Sequence, residues 1–147
     1  MTLQNYTLHR CPISQSLGIL GGQWTLLIAR DLMNGINKFD KLQDSLKISR
    51  NLLTVRLRQM EKDGLTKKVV PDGLKRAIYL PTKKCADVTN ILLALSEWSE
   101  KWMPDPEAPR VKVSDCEKGV YLKLALVPEN EAKAAAKTRF KVTYSFD

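Results

Sequence analysis

Residues 39–65 read FDKLQDSLKISRNLLTVRLRQMEKDGL, and the spacing of the apolar residues in this stretch decides the fold. Phe39, Leu42 and Leu46 recur at the interval of a short helix with one apolar face. A tight turn follows, and Ile48-Ser49 sets a hydrophobic residue before a hydroxyl N-cap, the opening of a second helix. That helix runs to Asp63, with Leu53, Leu57 and Met60 at i, i+4 and i+7 directed to a core, and Gly64 caps its end. Rotation by about 100° per residue carries Asn51, Val55 and Arg58 to the opposite side, with Arg50 and Thr54 on the flank. Two short amphipathic helices joined in this way form a helix-turn-helix pattern.

The charge of the chain gathers around the same stretch. Residues 38–84 hold thirteen Lys or Arg against five Asp or Glu, a surplus equal to the formal +8 of all 147 residues. The remaining hundred residues therefore sum to zero. A localised cationic surface on a helix-turn-helix pattern is the footprint of a duplex-DNA reader, whereas evenly spread charge would speak only of solubility.

Past Gly64 the period changes to two. Leu65–Val70 and Ala77–Leu80 are strand candidates around the turn residues Pro71-Asp72-Gly73, and Lys75 and Arg76 fall at or near the hairpin tip. A long helix is expected from about Thr82, with Val88, Ile91, Leu92, Leu95, Trp98 and Trp102 at helical spacing, ended by Pro104, Pro106 and Pro109. Upstream, Cys11-Pro12 opens a helix carrying Ile13, Leu17 and Leu20, which Gly21-Gly22 ends. The next helix, Trp24 to Met33, turns Leu27, Ile28, Leu32 and Met33 inward; residues 1–10 are polar. Beyond Pro109, Val120, Leu122, Leu124 and Leu126 alternate, as do Phe140, Val142, Tyr144 and Phe146, with Val111 and Val113 as a third strand candidate. Glu129 to Lys137 is alanine-rich and suits a short helix. The fold class expected is mainly α with a small β-hairpin: a winged helix-turn-helix domain over residues 1–103 and a β-rich appendage over 104–147.

Composition narrows the function classes. A chain of 147 residues with 44% hydrophobic and 27% charged residues buries a real core as one domain with or without an appendage. No apolar run approaches the roughly 20 residues of a membrane span, and no signal-peptide pattern opens the chain, so a cytoplasmic protein is expected. Cys11, Cys85 and Cys116 are odd in number and widely spaced, which favours reduced thiols over a disulfide framework or a zinc site. With one histidine, His9, no carboxylate cluster and no Gly-rich phosphate loop, neither an enzyme, a metal nor a cofactor is expected.

Several segments in the order helix, helix, helix-turn-helix, hairpin, long helix narrow the reading further. Cys11-Pro12-Ile13, the run Gly21 to Ile28, Arg30-Asp31-Leu32, Lys38-Phe39 with Leu42, Ile48-Ser49, Leu53-Thr54 with Arg56-Leu57-Arg58, Met60-Glu61 and Asp63-Gly64-Leu65 form one series. Tyr79 with Thr82, then Glu97-Trp98 with Trp102, continue it. The series resembles the HxlR-type transcriptional regulators over about two thirds of the chain, residues 10–103. It departs from them at Gln23, where the family usually carries Lys. The resemblance implies a bacterial or archaeal homodimer that represses or activates genes by binding an inverted repeat in double-stranded DNA. On this reading Ser49, Arg50, Asn51, Thr54, Val55, Arg58, Lys75 and Arg76 are the DNA-binding residues. Helix residues enter the major groove, while the wing holds phosphates or the minor groove. Leu17, Ile91, Leu95, Trp98 and Trp102 exceed what one wing domain covers and are assigned to a dimer partner. Arg56, nearer the core side, pairs with a carboxylate or a phosphate.

The resemblance also implies an oxidant or electrophile sensor at Cys11, a small-molecule or redox effector being a further partner. A helix start beside Arg10 and His9 favours its thiolate; a buried thiol without signalling role is the plainer alternative. Two alternatives stand beside this reading: an RNA-binding winged helix, which would use the same charge, and a protein-interaction module that no longer binds DNA, which the retained Arg50, Asn51, Arg58, Lys75 and Arg76 disfavour.

Overall fold

The computed structural model describes residues 10–135 and 139–145. Expectations for residues 1–9 (His9 among them), for residues 136 and 137 and for Phe146 lie outside the described residues. The chain forms two compact units, one ending at Thr89 and one beginning at Asn90.

The first unit contains α1 (Pro12–Leu20), α2 (Thr25–Met33), α3 (Phe39–Leu46), α4 (Arg50–Lys62), the strands β1 (Thr66–Val69) and β2 (Ile78–Pro81), and α5 (Lys83–Ala86). Its core is drawn from one stripe of each helix. Ile28 and Leu32 of α2, Leu42 and Leu46 of α3, and Leu53, Leu57 and Met60 of α4 are all buried. The first two helices of that core are also joined by a polar tie. Asp31, buried on α2, accepts a hydrogen bond from Ser45 Oγ of α3 at 2.7 Å and pairs with Arg30 at 2.7 Å. A buried carboxylate satisfied on both oxygens fixes register more than it adds stability.

α4 ends as its glycine requires. Gly64, at φ +73°, donates to Glu61 O, and Leu65 donates to Met60 O at 2.8 Å, so both orphan carbonyls are paired and Leu65 is turned into the core. From there β1 pairs antiparallel with β2, Thr66 opposite Pro81 and Val69 opposite Ile78. The loop end of β2 is stitched to the residues that lead into α3. Tyr79 N–H donates to Asn37 O at 2.8 Å, and Lys38 bridges Ile78.

Two details differ from the periodicity reading. Leu27 is 41% exposed rather than inward. The buried stripe of α2 runs through Ile28 and Leu32, and Leu27 stands about 100° from Ile28. The helix expected from Thr82 is also two helices. Thr82 caps α5 by accepting from Cys85 N–H; then Val88 N–H turns back to Cys85 O, and Thr89 Oγ1 donates to Ala86 O at 2.7 Å. These shorter bonds end the i to i−4 ladder and let Cys85 and Val88 both face the core.

The second unit is built on α6 (Thr89–Trp102), followed by β3 (Arg110–Asp115), β4 (Tyr121–Leu122), α7 (Glu129–Ala135) and β5 (Phe140–Ser145). The sheet order is β4-β3-β5 with both pairs antiparallel, so the strand at Val111 and Val113 is the central one. The alternating run from Val120 to Leu126 yields only the two-residue β4. Its pairing stops after Val113–Leu122 and Ser114–Tyr121, and Leu126 is fully exposed. Glu97 of α6 accepts from Leu124 N–H at 3.3 Å. The break between compact units thus falls at Thr89, upstream of the prolines, with the long helix grouped with the strands that follow it.

Candidate nucleic-acid interface

Ser49 starts the site. Its extended backbone (φ −67°, ψ 147°) leaves Oγ free to accept from Leu52 N–H at 3.3 Å, fixing the first turn of α4. Thr54 Oγ1 turns back to Arg50 O at 2.8 Å and is half-buried. Asn51, Val55 and Arg58 are exposed on the side away from Leu53, Leu57 and Met60, with Val55 58% exposed despite its apolar side chain.

Arg50 and the wing meet over the start of α3. The Arg50 guanidinium lies 5.0 Å from the Phe39 ring centroid, and its Nη1 is 3.8 Å from Asp40 Oδ1. Arg76 of the hairpin loop donates to the other oxygen of the same carboxylate at 2.8 Å. Arg50, Lys75 and Arg76 line an open cleft of about 850 Å³ together with Lys38, Lys41 and Lys68. Six cations against one carboxylate give this face a positive potential, the sign that attracts a polyanion. Lys38, Lys41 and Lys68 are absent from the residue set expected from sequence. The charge surplus of the span signalled them, but which lysines share a face depends on the fold of the hairpin.

Arg56 sits elsewhere. Its side chain crosses the Gly22 backbone, where an added Cβ would stand 3.0 Å from Arg56 Nη1 and 2.9 Å from Thr25 Oγ1. Its Nε is buried without a hydrogen-bond partner, so the expected carboxylate pair does not occur among the described residues. Trp24, next to this loop, holds φ at +80°, a conformation that costs a non-glycine residue on the order of 1–3 kcal/mol. Tyr79 is buried behind the cleft; burial first, and Glu61 second, push its phenol up, against a smaller opposing effect of Arg58.

The residues assigned to a dimer partner are all uncovered. Leu17 of α1 is 41% exposed; Ile91, Leu95, Trp98 and Trp102 of α6 range from 41% to 63%. Cys11 is exposed at the N-cap of α1, in extended conformation with Pro12 behind it. No capping hydrogen bond closes on its sulfur, but the Ser14 backbone N–H first, and that of Ile13 second, hold the thiol below its ordinary range. Burial pushes Cys85 the other way.

The model of HxlR-like helix-turn-helix proteins matches residues 19–107, which hold α2 to α6 and the whole cationic cleft. The chain belongs to the HxlR-like helix-turn-helix family. An uncharacterized HTH-type transcriptional regulator of Mycobacterium tuberculosis, Rv3095, is 31% identical over 102 residues. That match takes in 69% of this chain and 65% of the relative, so the chain spans about two thirds of the relative's length. Among solved structures, PA1607, a candidate transcription factor, superposes with a TM-score of 0.75 at 25% identity, over 86% of this chain and 89% of that one. The redox regulator HypR in its reduced form gives 0.56 at 25% identity, over 62% of this chain and 92% of its own.

Cys11 lies outside the matched segment of this HxlR-like chain. A thiol with a lowered pKa is more fully thiolate near neutral pH, and the thiolate is the nucleophile. Iodoacetamide should therefore label Cys11 before Cys116, which is also exposed, and before the buried Cys85, as peptide mass analysis over time would show. Equal labelling of Cys11 and Cys116 in the folded protein would contradict the thiolate assignment.

Proposed function

We propose that this HxlR-like protein is a DNA-binding transcriptional regulator that reads an inverted repeat as a homodimer. The observation that carries the reading is the single exposed face formed by Asn51, Val55 and Arg58 on α4 beside the cleft cations of α3 and the wing. In this reading α4 occupies the major groove, and Lys75 and Arg76 hold phosphates. The uncovered apolar residues of α6 support association with a second copy, which would pair two recognition helices about one DNA turn apart. An RNA reader is less well supported, because single-stranded bases need exposed aromatic rings. Within the basic span, Phe39 lies under Arg50 and Tyr79 is buried.

The response to oxidants or electrophiles through Cys11 belongs to the same proposal, supported by its exposure and the neighbouring N–H groups. Modification would add bulk at α1. Duplex affinity should change after treatment with a quinone or peroxide, and Cys11→Ser should abolish that response. Unchanged binding after stoichiometric modification would leave Cys11 a structural thiol.

The test of the main reading is titration of the protein against duplex DNA over a range of salt. The logarithm of the affinity should fall linearly with log salt, with a slope of about 0.9 per phosphate neutralised. Lys75→Ala with Arg76→Ala should weaken binding to every duplex alike and flatten that slope by up to about two, with base preference unchanged. A loss confined to one sequence would move the wing from phosphate holding to base reading.

A further inference from the structure

We propose that Asp40 is an internal phosphate surrogate: its carboxylate engages Arg50 and Arg76, both of which would otherwise be open to DNA phosphates, and so restrains binding to any duplex. This rests on the DNA-binding reading above. The geometry is of one carboxylate with each oxygen turned to a different element, Oδ2 to Arg76 of the wing loop at 2.8 Å and Oδ1 to Arg50 of the recognition helix at 3.8 Å. Asp40 is held there by the backbone, because the start of α3 is sewn to the loop end of β2 through Asn37–Tyr79 and Lys38–Ile78. The arginines are the movable partners. The Arg76 side chain is 86% exposed and that of Arg50 71%.

A carboxylate and a phosphate offer a guanidinium the same pair of oxygens, so one substitutes for the other without rearranging the fork. When a duplex arrives, Arg76 and Arg50 exchange Asp40 for backbone oxygens, and the uncovered carboxylate then faces the phosphates at close range. Binding to any duplex is weakened by that repulsion. A sequence that also satisfies the outward face of α4 overcomes it. Asp40 therefore lowers affinity for every duplex alike and touches no base.

Asp44 supplies the control. It stands on the same helix and is exposed, but it does not line the cleft. Wild type, Asp40→Asn and Asp44→Asn, each checked for native helix content, would be titrated with one random-sequence duplex over a salt series. Asp40→Asn should bind about three- to tenfold more tightly at low salt and steepen the log–log salt slope by about one phosphate contact. Asp44→Asn should change little. Arg76→Gln should cost more in the Asp40→Asn background than in wild type, because the guanidinium is then fully available to phosphate. Asp40→Asn binding no more tightly than Asp44→Asn, with wild type still retaining the duplex, would overturn the surrogate role alone. Wild type failing to retain any duplex at low salt would overturn the DNA-binding reading and this inference with it.

Discussion

Leu95→Glu or Trp102→Glu should convert a micromolar homodimer into monomers or unfold it. Both positions belong to α6, whose side chains at Ile91, Leu95, Trp98 and Trp102 follow helical spacing and remain 41–63% exposed in the single chain. No residue of α6 is buried. Two tryptophans and two aliphatic side chains in one row form an apolar surface that water does not favour, and a second copy offers its own identical row under two-fold symmetry. A glutamate at Leu95 would meet only that apolar row, and an unpartnered buried charge costs about 3–5 kcal/mol, whereas at Trp102 the neighbouring Lys101, 5.2 Å from the ring, softens the cost. The symmetric contact would meet that cost twice. Sedimentation reads the outcome directly. A wild type of monomeric mass would remove the dimer, and with it the expectation that operators are inverted repeats. A Leu95→Glu variant that stays dimeric would place the seam on another surface.

Helix α4 was legible because three independent signals agree on it. Ser49 as cap, the 53, 57, 60 stripe and Gly64 at positive φ each follow from local chemistry. The central helices and the hairpin were readable on the same grounds. What sequence could not show is whatever depends on residues far apart meeting. Asp40 and Arg76 are thirty-six residues apart, and no periodicity joins a helix start to a hairpin loop. Leu27 looked inward because leucine is apolar, but its neighbour Ile28 took the core-facing direction. The break at Asp87 and Val88 has no proline or glycine to mark it; only the competition of short-range bonds and two core-seeking side chains, Cys85 and Val88, reveals it. In the second unit, alternation from Val120 to Leu126 promised a strand, yet β3 provides partners for only Tyr121 and Leu122. A period of two states which face a residue would take, not where its backbone finds a partner: β3 runs on to Arg110, but Leu124 N–H goes to Glu97 of α6 instead.

Arg58→Ala should lower affinity for the preferred duplex by about 1–3 kcal/mol and relax base preference at the contacted position. Arg58 is exposed and makes no ion pair among the described residues, in contrast to Arg50 and Arg76, which Asp40 engages. Asn51 and Arg58 are seven residues apart, which puts them on one face about 10 Å apart along the helix. At about 3.4 Å per base pair that interval spans roughly three pairs, so the two side chains address different bases rather than compete for one. Arginine carries a forked donor matched to the two acceptors of guanine, a pairing alanine cannot replace. Removing it should therefore cost far more on the preferred sequence than on random DNA, and the salt slope should move little because no phosphate contact is lost. A duplex selected from a random pool with the wild-type protein serves as the specific probe. If the variant loses affinity equally on the selected and the random duplex, Arg58 holds phosphate, and base reading passes to Asn51 and its neighbours on α4.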